Sequence, residues 1–167
     1  MKLWKGAALA VALAFCGEAH ASDTDPCPAD MVCANKPQTV VDALHQAGYK
    51  AKLGKDKVGD PMVESAAGGY DFTLFFYECE HGRDCASVQF LVSFKADSTN
   101  TPALANEWNQ KQRFSQMSVD DDGSLDIRLD VNTFGGLNQK NFADTIDWWA
   151  ARMGELSAFF KAHPAPK

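Results

Sequence analysis

Basic clusters, long apolar runs and histidines are all scarce in this sequence, and each scarcity removes a class of function. No run of lysine or arginine occurs and the formal charge is −6, so the electrostatic footprint of a nucleic-acid binder is missing. Beyond the N-terminal segment no stretch is long and apolar enough to cross a bilayer. The histidines are His20, His45, His81 and His163, and no Ser, Cys or carboxylate motif places a nucleophile beside any of them; His81 with Glu80 and Asp84 reads as a polar hairpin tip rather than a metal site. Gly-x-Gly-x-x-Gly, phosphate loops and Cys-x-x-Cys are all absent, which leaves no phosphate cradle and no redox dithiol to read. No cofactor, metal ligand set or catalytic residue is therefore assigned.

What the sequence does have begins at its start. Lys2 and Lys5 precede an apolar run over residues 6–15, and Ala19-His20-Ala21 is a small-x-small cleavage site. Residues 1–21 read as a signal peptide, too short in its apolar part to anchor the chain. Cys16 could instead be a lipidated residue, but Phe15 before it is too large for that role. Cleavage after Ala21 removes Lys2, Lys5 and Glu18, leaving the chain one unit more acidic, exported to the periplasm and without a membrane anchor.

Cys27, Cys33, Cys79 and Cys85 then remain, an even number in an oxidising compartment. Residues 70–79 and 85–94 are both rich in aromatic and β-branched residues, and Glu80-His81-Gly82-Arg83-Asp84 between them reads as a turn. Setting Cys79 opposite Cys85 places Phe76 against Val88, Leu74 against Phe90, Phe72 against Val92 and Tyr70 against Phe94. Every pair on that face is apolar, and a slip of one residue would exchange the faces of one strand. A Cys79–Cys85 disulfide follows from this register. Cys27–Cys33 follows by elimination and proximity, within a proline-containing leader over residues 22–37. Four-thiolate zinc ligands usually stand two to four residues apart, not five.

Elsewhere the elements are shorter. Residues 39–47 read as a helix capped by Thr39 and stopped by Gly48. Residues 49–53 and 62–65 read as short strands, and Lys50, Lys52, Lys55 and Lys57 as a solvated face rather than a binding site. Thr101 caps a helix over Pro102–Lys111, with Pro102 at its first position. Asp121-Asp122-Gly123 suits a hairpin loop that sets Val119 against Leu125 and Met117 against Ile127. A calcium loop there would need Asp or Asn in place of Ser118 and Glu in place of Leu129. Gly135-Gly136 breaks the strand. A last helix over residues 142–161, capped by Asn141, carries Phe142, Ile146, Trp149, Met153, Leu156 and Phe160 on one stripe. The expected class is α+β, an antiparallel sheet of two hairpins plus short strands with three helices packed on it.

Gly59-Asp60-Pro61, the run from Phe72 to Tyr77, Ser87-Val88-Gln89-Phe90, Asn106-Glu107-Trp108-Asn109 with Arg113-Phe114, and Leu129-Asp130-Val131 with Gly135-Gly136 resemble the YbjN-type domain. Their order and spacing carry the resemblance over residues 37–160. It implies a fold like the type III secretion chaperones and a role in sensory transduction regulation, with no catalytic residues to transfer. The domain is placed at residues 38–162, followed by a tail over residues 163–167. A signal peptide and cysteines depart from cytoplasmic members of that family.

The expected function is a non-enzymatic binding or regulatory domain. It would meet a protein or peptide partner, or a second copy of itself, with nucleic acid excluded. Apolar residues that the core faces do not absorb are the candidate contacts: Phe75, Tyr77 and Leu91 on the hairpin's mixed face, and Trp148 and Phe159 beside the last helix's stripe. The competing expectation is a hydrolase or metal-dependent enzyme whose site is dispersed through the sequence.

Overall fold

The computed structural model describes residues 22–164. The signal-peptide reading of residues 1–21, with Cys16, lies outside them, as does the end of the tail. The elements in chain order are β1 (Met31–Val32), α1 (Gln38–Gln46), β2 (Ala51–Lys55), β3 (Pro61–Ala67), β4 (Tyr70–Tyr77) and β5 (Ser87–Phe94). They continue with α2 (Pro102–Lys111), β6 (Gln116–Val119), β7 (Leu125–Asn132), β8 (Leu137–Asn138) and α3 (Gln139–Ala162). This is an α+β fold. Six strands form one antiparallel sheet in the order β2-β3-β4-β5-β7-β6.

Alternation along the strands decides which face is covered. Val63, Phe72, Leu74, Phe76, Val88, Phe90, Val92, Ile127 and Met117 all point to one side and are buried. Helix α3 lies there. Phe142, Ile146, Trp149, Met153 and Leu156 on its stripe are buried, and the Trp149 ring stands 5.4 Å from Phe90 and 5.7 Å from Phe72. Trp108 anchors α2 in the same layer, fully buried with its indole N–H donating to the Ser115 hydroxyl at 3.0 Å.

The first hairpin pairs Phe76 with Val88 and Leu74 with Phe90, and the second pairs Met117 with Ile127 and Val119 with Leu125. β3 and β4 are joined by Gly68-Gly69, both at positive φ (+59° and +88°), which is the two-residue turn that only such conformations close without splaying the strands. A Cβ on Gly68 would sit 2.6 Å from the backbone of Met153 and Gly154, so α3 rests directly on this turn.

The helix starts differ from the sequence reading. Pro37, not Thr39, occupies the first cap of α1 and offers no side-chain bond. The Thr39 hydroxyl instead donates toward the carbonyls of Cys33 and Lys36 and accepts the Cys33 N–H. α3 begins three residues earlier than expected because Asn138, not Asn141, caps it by accepting the Asn141 N–H at 2.8 Å. The C-terminal stop of α1 is a Schellman motif. Gly48 N–H bonds the His45 carbonyl and Tyr49 N–H the Leu44 carbonyl, with Gly48 at φ +86°.

Residues 22–37, read from their prolines as a loop, hold a strand. β1 pairs with β8 in a separate two-stranded sheet. The structure joins Cys27 to Cys33 and Cys79 to Cys85. Buried Asp23 ties these pieces together: its N–H bonds the Asp84 carbonyl and its carboxylate accepts the Gly135 N–H, both at 2.9 Å. Thr133, also buried, donates to the Ala86 carbonyl and accepts the Ala34 N–H. These partners stand from 47 to 112 residues apart, so no local pattern announces them.

Candidate functional site

All three helices lie on the inner side, which leaves the outer side of the sheet without a covering layer among the described residues. The register sets out its rows. Met62, Phe75, Gln89 and Asp130 follow one another across four strands, and Glu64, Thr73, Leu91 and Arg128 make the next row. Phe75, Leu91 and Met62 are half-buried and Tyr77 is exposed. Two hollows of about 690 and 560 Å³ lie on this side and share Phe75 and Leu91 as a common wall. Together they make a shallow furrow crossing the strands.

Phe75 and Leu91 make the furrow's apolar centre, and polar groups surround it for structural reasons. At one end the β2–β3 loop folds over it, presenting Lys57 and Val58, the latter 82% exposed. Asp56 shapes that loop by accepting the N–H groups of Val58, Gly59 and Asp60, each at 2.9 Å. Gly82 at the tip of the β4–β5 loop touches it, since a Cβ there would meet the Gly59 carbonyl at 2.8 Å. Across the floor runs a polar chain: the Tyr77 hydroxyl donates to Gln89 at 3.4 Å, and the Gln89 amide donates to Asp130 at 2.6 Å. Partial burial, with Asp130 as the second cause, pushes the Tyr77 phenol above its ordinary range, while Arg128 acts in the opposite direction. Arg128 is itself engaged by Asp126, by the Ser118 hydroxyl and, at 3.5 Å, by Asp120.

Phe75, Tyr77 and Leu91 thus come together on one surface. Trp148 and Phe159 do not join it. They sit on α3, in the opposite layer. Trp148 stacks on Phe114 with ring centroids 4.8 Å apart and lies beneath the Arg152 guanidinium at 5.4 Å. Phe159 is half-buried and packs edge-on against Trp108 at 5.1 Å, at the margin of the core. Phe114 was not among the candidate contacts read from the sequence. Its φ of +57° is an uncommon backbone state for an aromatic residue, and nothing in residue type foretells it. Met62, Val58, Gln89 and Arg128 were also missed, since their place on the furrow depends on strand order. Lys55 and Lys57, read as solvated, line its rim.

Among the described residues no Ser, Thr or Cys side chain is hydrogen-bonded to a histidine. His45 faces the Ala51 carbonyl, and His163 bonds Glu107 and the Phe159 carbonyl. Among the described residues no three His, Cys, Asp or Glu side chains converge as a metal site requires. Asp122 in the second hairpin loop accepts the hydroxyl and N–H of Ser124, which lowers its pKa and spends its carboxylate on the turn.

Residues 36–161 match the YbjN family, described as "Putative bacterial sensory transduction regulator". No curated protein matches the sequence. Among solved structures, YbjN from E. coli, described as "a putative transcription regulator", aligns with a TM-score of 0.50 at 12% identity, covering 77% of this chain and 95% of that one. An uncharacterized protein from Methanothermobacter thermautotrophicus aligns with a TM-score of 0.48 at 10% identity, covering 76% of this chain and 98% of its own. At 12% identity the likeness to the E. coli structure speaks for the fold alone.

Proposed function

The chain belongs to the YbjN family, and from that premise we propose that it is a non-enzymatic regulatory domain of the periplasm that binds a protein partner on the open face of its sheet. The observation that carries this reading is the apolar group of Phe75, Tyr77, Leu91 and Met62 on the sheet face that no helix covers among the described residues. A sheet ordinarily buries one face and solvates the other with polar residues. Here the solvated face keeps aromatic and aliphatic residues grouped at its centre, the composition of an interface anchor. Rigid strands hold them, so binding orders few side chains and loses little entropy. The two disulfides, which persist in oxidising compartments, and the signal-peptide reading of residues 1–21 support export. The chaperone-like reading of the scaffold belongs to the same proposal, since a bare sheet face is a natural seat for an extended segment.

The test uses the triple variant Phe75→Ser, Tyr77→Ser, Leu91→Ser. These side chains face outward, so the variant folds with the wild-type circular-dichroism spectrum, and its capture of partner from periplasmic extract is expected to fall at least tenfold. Unchanged capture by the folded variant rules out this surface. Turnover of an ester, phosphoester or peptide substrate by the purified protein overturns the non-enzymatic reading.

A further inference from the structure

An open sheet has two edge strands, each presenting unpaired backbone N–H and C=O groups unless something meets them. Among the described residues this sheet caps one edge at a single residue and leaves more of the other edge open. At β6 the Asn109 carboxamide does the capping. Its Oδ1 accepts the Met117 N–H at 2.8 Å and its Nδ2 donates to the Met117 carbonyl at 3.0 Å. One side chain on α2 thereby imitates the pairing a further strand would make with β6.

β2 has no equivalent. The Asp56 N–H bonds the Asp60 carbonyl, and antiparallel pairing alternates from there. Gly54 and Lys52 therefore face β3, while Ala51, Leu53 and Lys55 turn their backbone groups away from the sheet. The Ala51 carbonyl meets the His45 ring at 3.2 Å. Leu53 and Lys55 meet no partner among the described residues. The Leu53 side chain is 43% exposed, beside Val63 at the uncovered margin of the core. A strand added here would gain backbone bonds at Leu53 and Lys55 and could cover Leu53 with an apolar side chain.

Charge identifies what would add. Lys50, Lys52, Lys55 and Lys57 fall within eight residues of an otherwise acidic chain, all exposed; Lys52 already pairs with Glu64 of β3 at 3.2 Å, so the charge offered to an incoming strand rests mainly on the other three. A second copy pairing antiparallel about Leu53 would bring two such lysine sets together, which like-charge neighbours oppose. A strand carrying glutamate or aspartate around an apolar residue meets the opposite sign. We propose that the β2 edge docks an extended acidic segment of the partner as a seventh strand, a proposal that rests on the protein-binding reading above. Such strand addition draws affinity from main-chain bonds and selectivity from alternate side chains. The edge runs into the Asp56–Asp60 loop, whose Lys57 and Val58 wall the furrow, so the two surfaces adjoin.

Three nine-residue peptides are the probes: alternating valine with glutamate, with serine and with lysine. Fluorescence anisotropy with the purified protein is expected to rank glutamate over serine over lysine, with at least tenfold between the first and last. Amide exchange at Leu53 and Lys55 should slow on adding the glutamate peptide. Leu53→Pro removes an N–H that faces away from β3, so the sheet is kept, as edge positions tolerate proline, and affinity should fall at least tenfold. Lys52→Glu with Lys55→Glu should reverse the ranking. Equal binding of the acidic and basic peptides, no binding of any of the three, no exchange protection at these amides, or unchanged affinity in folded Leu53→Pro would each overturn the proposal. The furrow variant separates the two readings. If it loses the natural partner while Leu53→Pro does not, the edge proposal falls and the protein-binding reading stands.

Discussion

Replacing each glycine of the β3–β4 turn by alanine measures how α3 is seated. Both positions have positive φ, so either alanine incurs the left-handed backbone cost of about 1–2 kcal/mol. They differ in their surroundings. A Cβ on Gly69 meets nothing within 4 Å, whereas one on Gly68 lies 2.6 Å from Gly154 N and Met153 C and 2.9 Å from the Met153 Cβ. Two of those atoms are helix backbone, so relief requires α3 to move away from Trp149's contacts. Overpacking of this kind adds about 1–3 kcal/mol, which puts Gly68→Ala at about 2–5 kcal/mol in all. Urea unfolding resolves the difference. With a slope of about 2 kcal/mol per molar, Gly69→Ala should lower the midpoint by about 0.5–1 M and Gly68→Ala by about 1–2.5 M. Equal midpoints for the two variants would mean that α3 does not rest on this turn.

Trp149→Ala should cost about 3–5 kcal/mol as a large-to-small core change, read from the same urea curves, and a wild-type midpoint would show that the α3 face is wrongly assigned. His163 is pushed above the ordinary histidine value of about 6.5, first by its bond to the Phe159 carbonyl and then by Glu107. Its contribution to stability is therefore complete below that value and lost as pH rises through the folded pKa. Glu107, held low by Lys111 and then His163, loses its contribution as pH falls through its own folded pKa. NMR titration should place the His163 midpoint high in the wild type and closer to 6.5 in Glu107→Gln; a wild-type midpoint below 6.5 would contradict the contact. Intact mass of the exported protein should begin at Ser22, and non-reducing peptide maps should show only Cys27–Cys33 and Cys79–Cys85 links. A lipidated chain starting at Cys16, or a Cys27–Cys79 peptide, would refute this.

What the sequence made legible was local. The Phe76–Val88 and Met117–Ile127 registers could be read because alternation and turn residues act within twenty positions of each other. The Thr101 cap, whose hydroxyl accepts the Leu104 N–H, and the α3 stripe were legible for the same reason. Thr39 and Asn141 were plausible caps by residue type, yet α1 starts at Pro37, whose backbone is already helical, and α3 at Asn138, whose extended backbone lets its side chain accept the Asn141 N–H. Strand order was not legible, because β5 pairs with β7 across α2 and β6. The furrow depended on that order. Phe75 and Leu91 could be placed on one face of the hairpin, but Arg128 joins them only because β7 lies beside β5. The β1–β8 pair and the Asp23 and Thr133 bonds unite segments too distant for any periodicity to show.

Hydroxyl-radical footprinting of the protein, alone and with its captured partner, compares the two aromatic surfaces directly. Met62, Phe75 and Tyr77 lie on the furrow, and Phe114 and Trp148 on the helical layer; all five are oxidisable and at least partly exposed. Loss of labelling at Met62, Phe75 and Tyr77, with Phe114 and Trp148 unchanged, is the expected result. Protection confined to Phe114 and Trp148, with the furrow labelled as in the free protein, would contradict binding on the open sheet face.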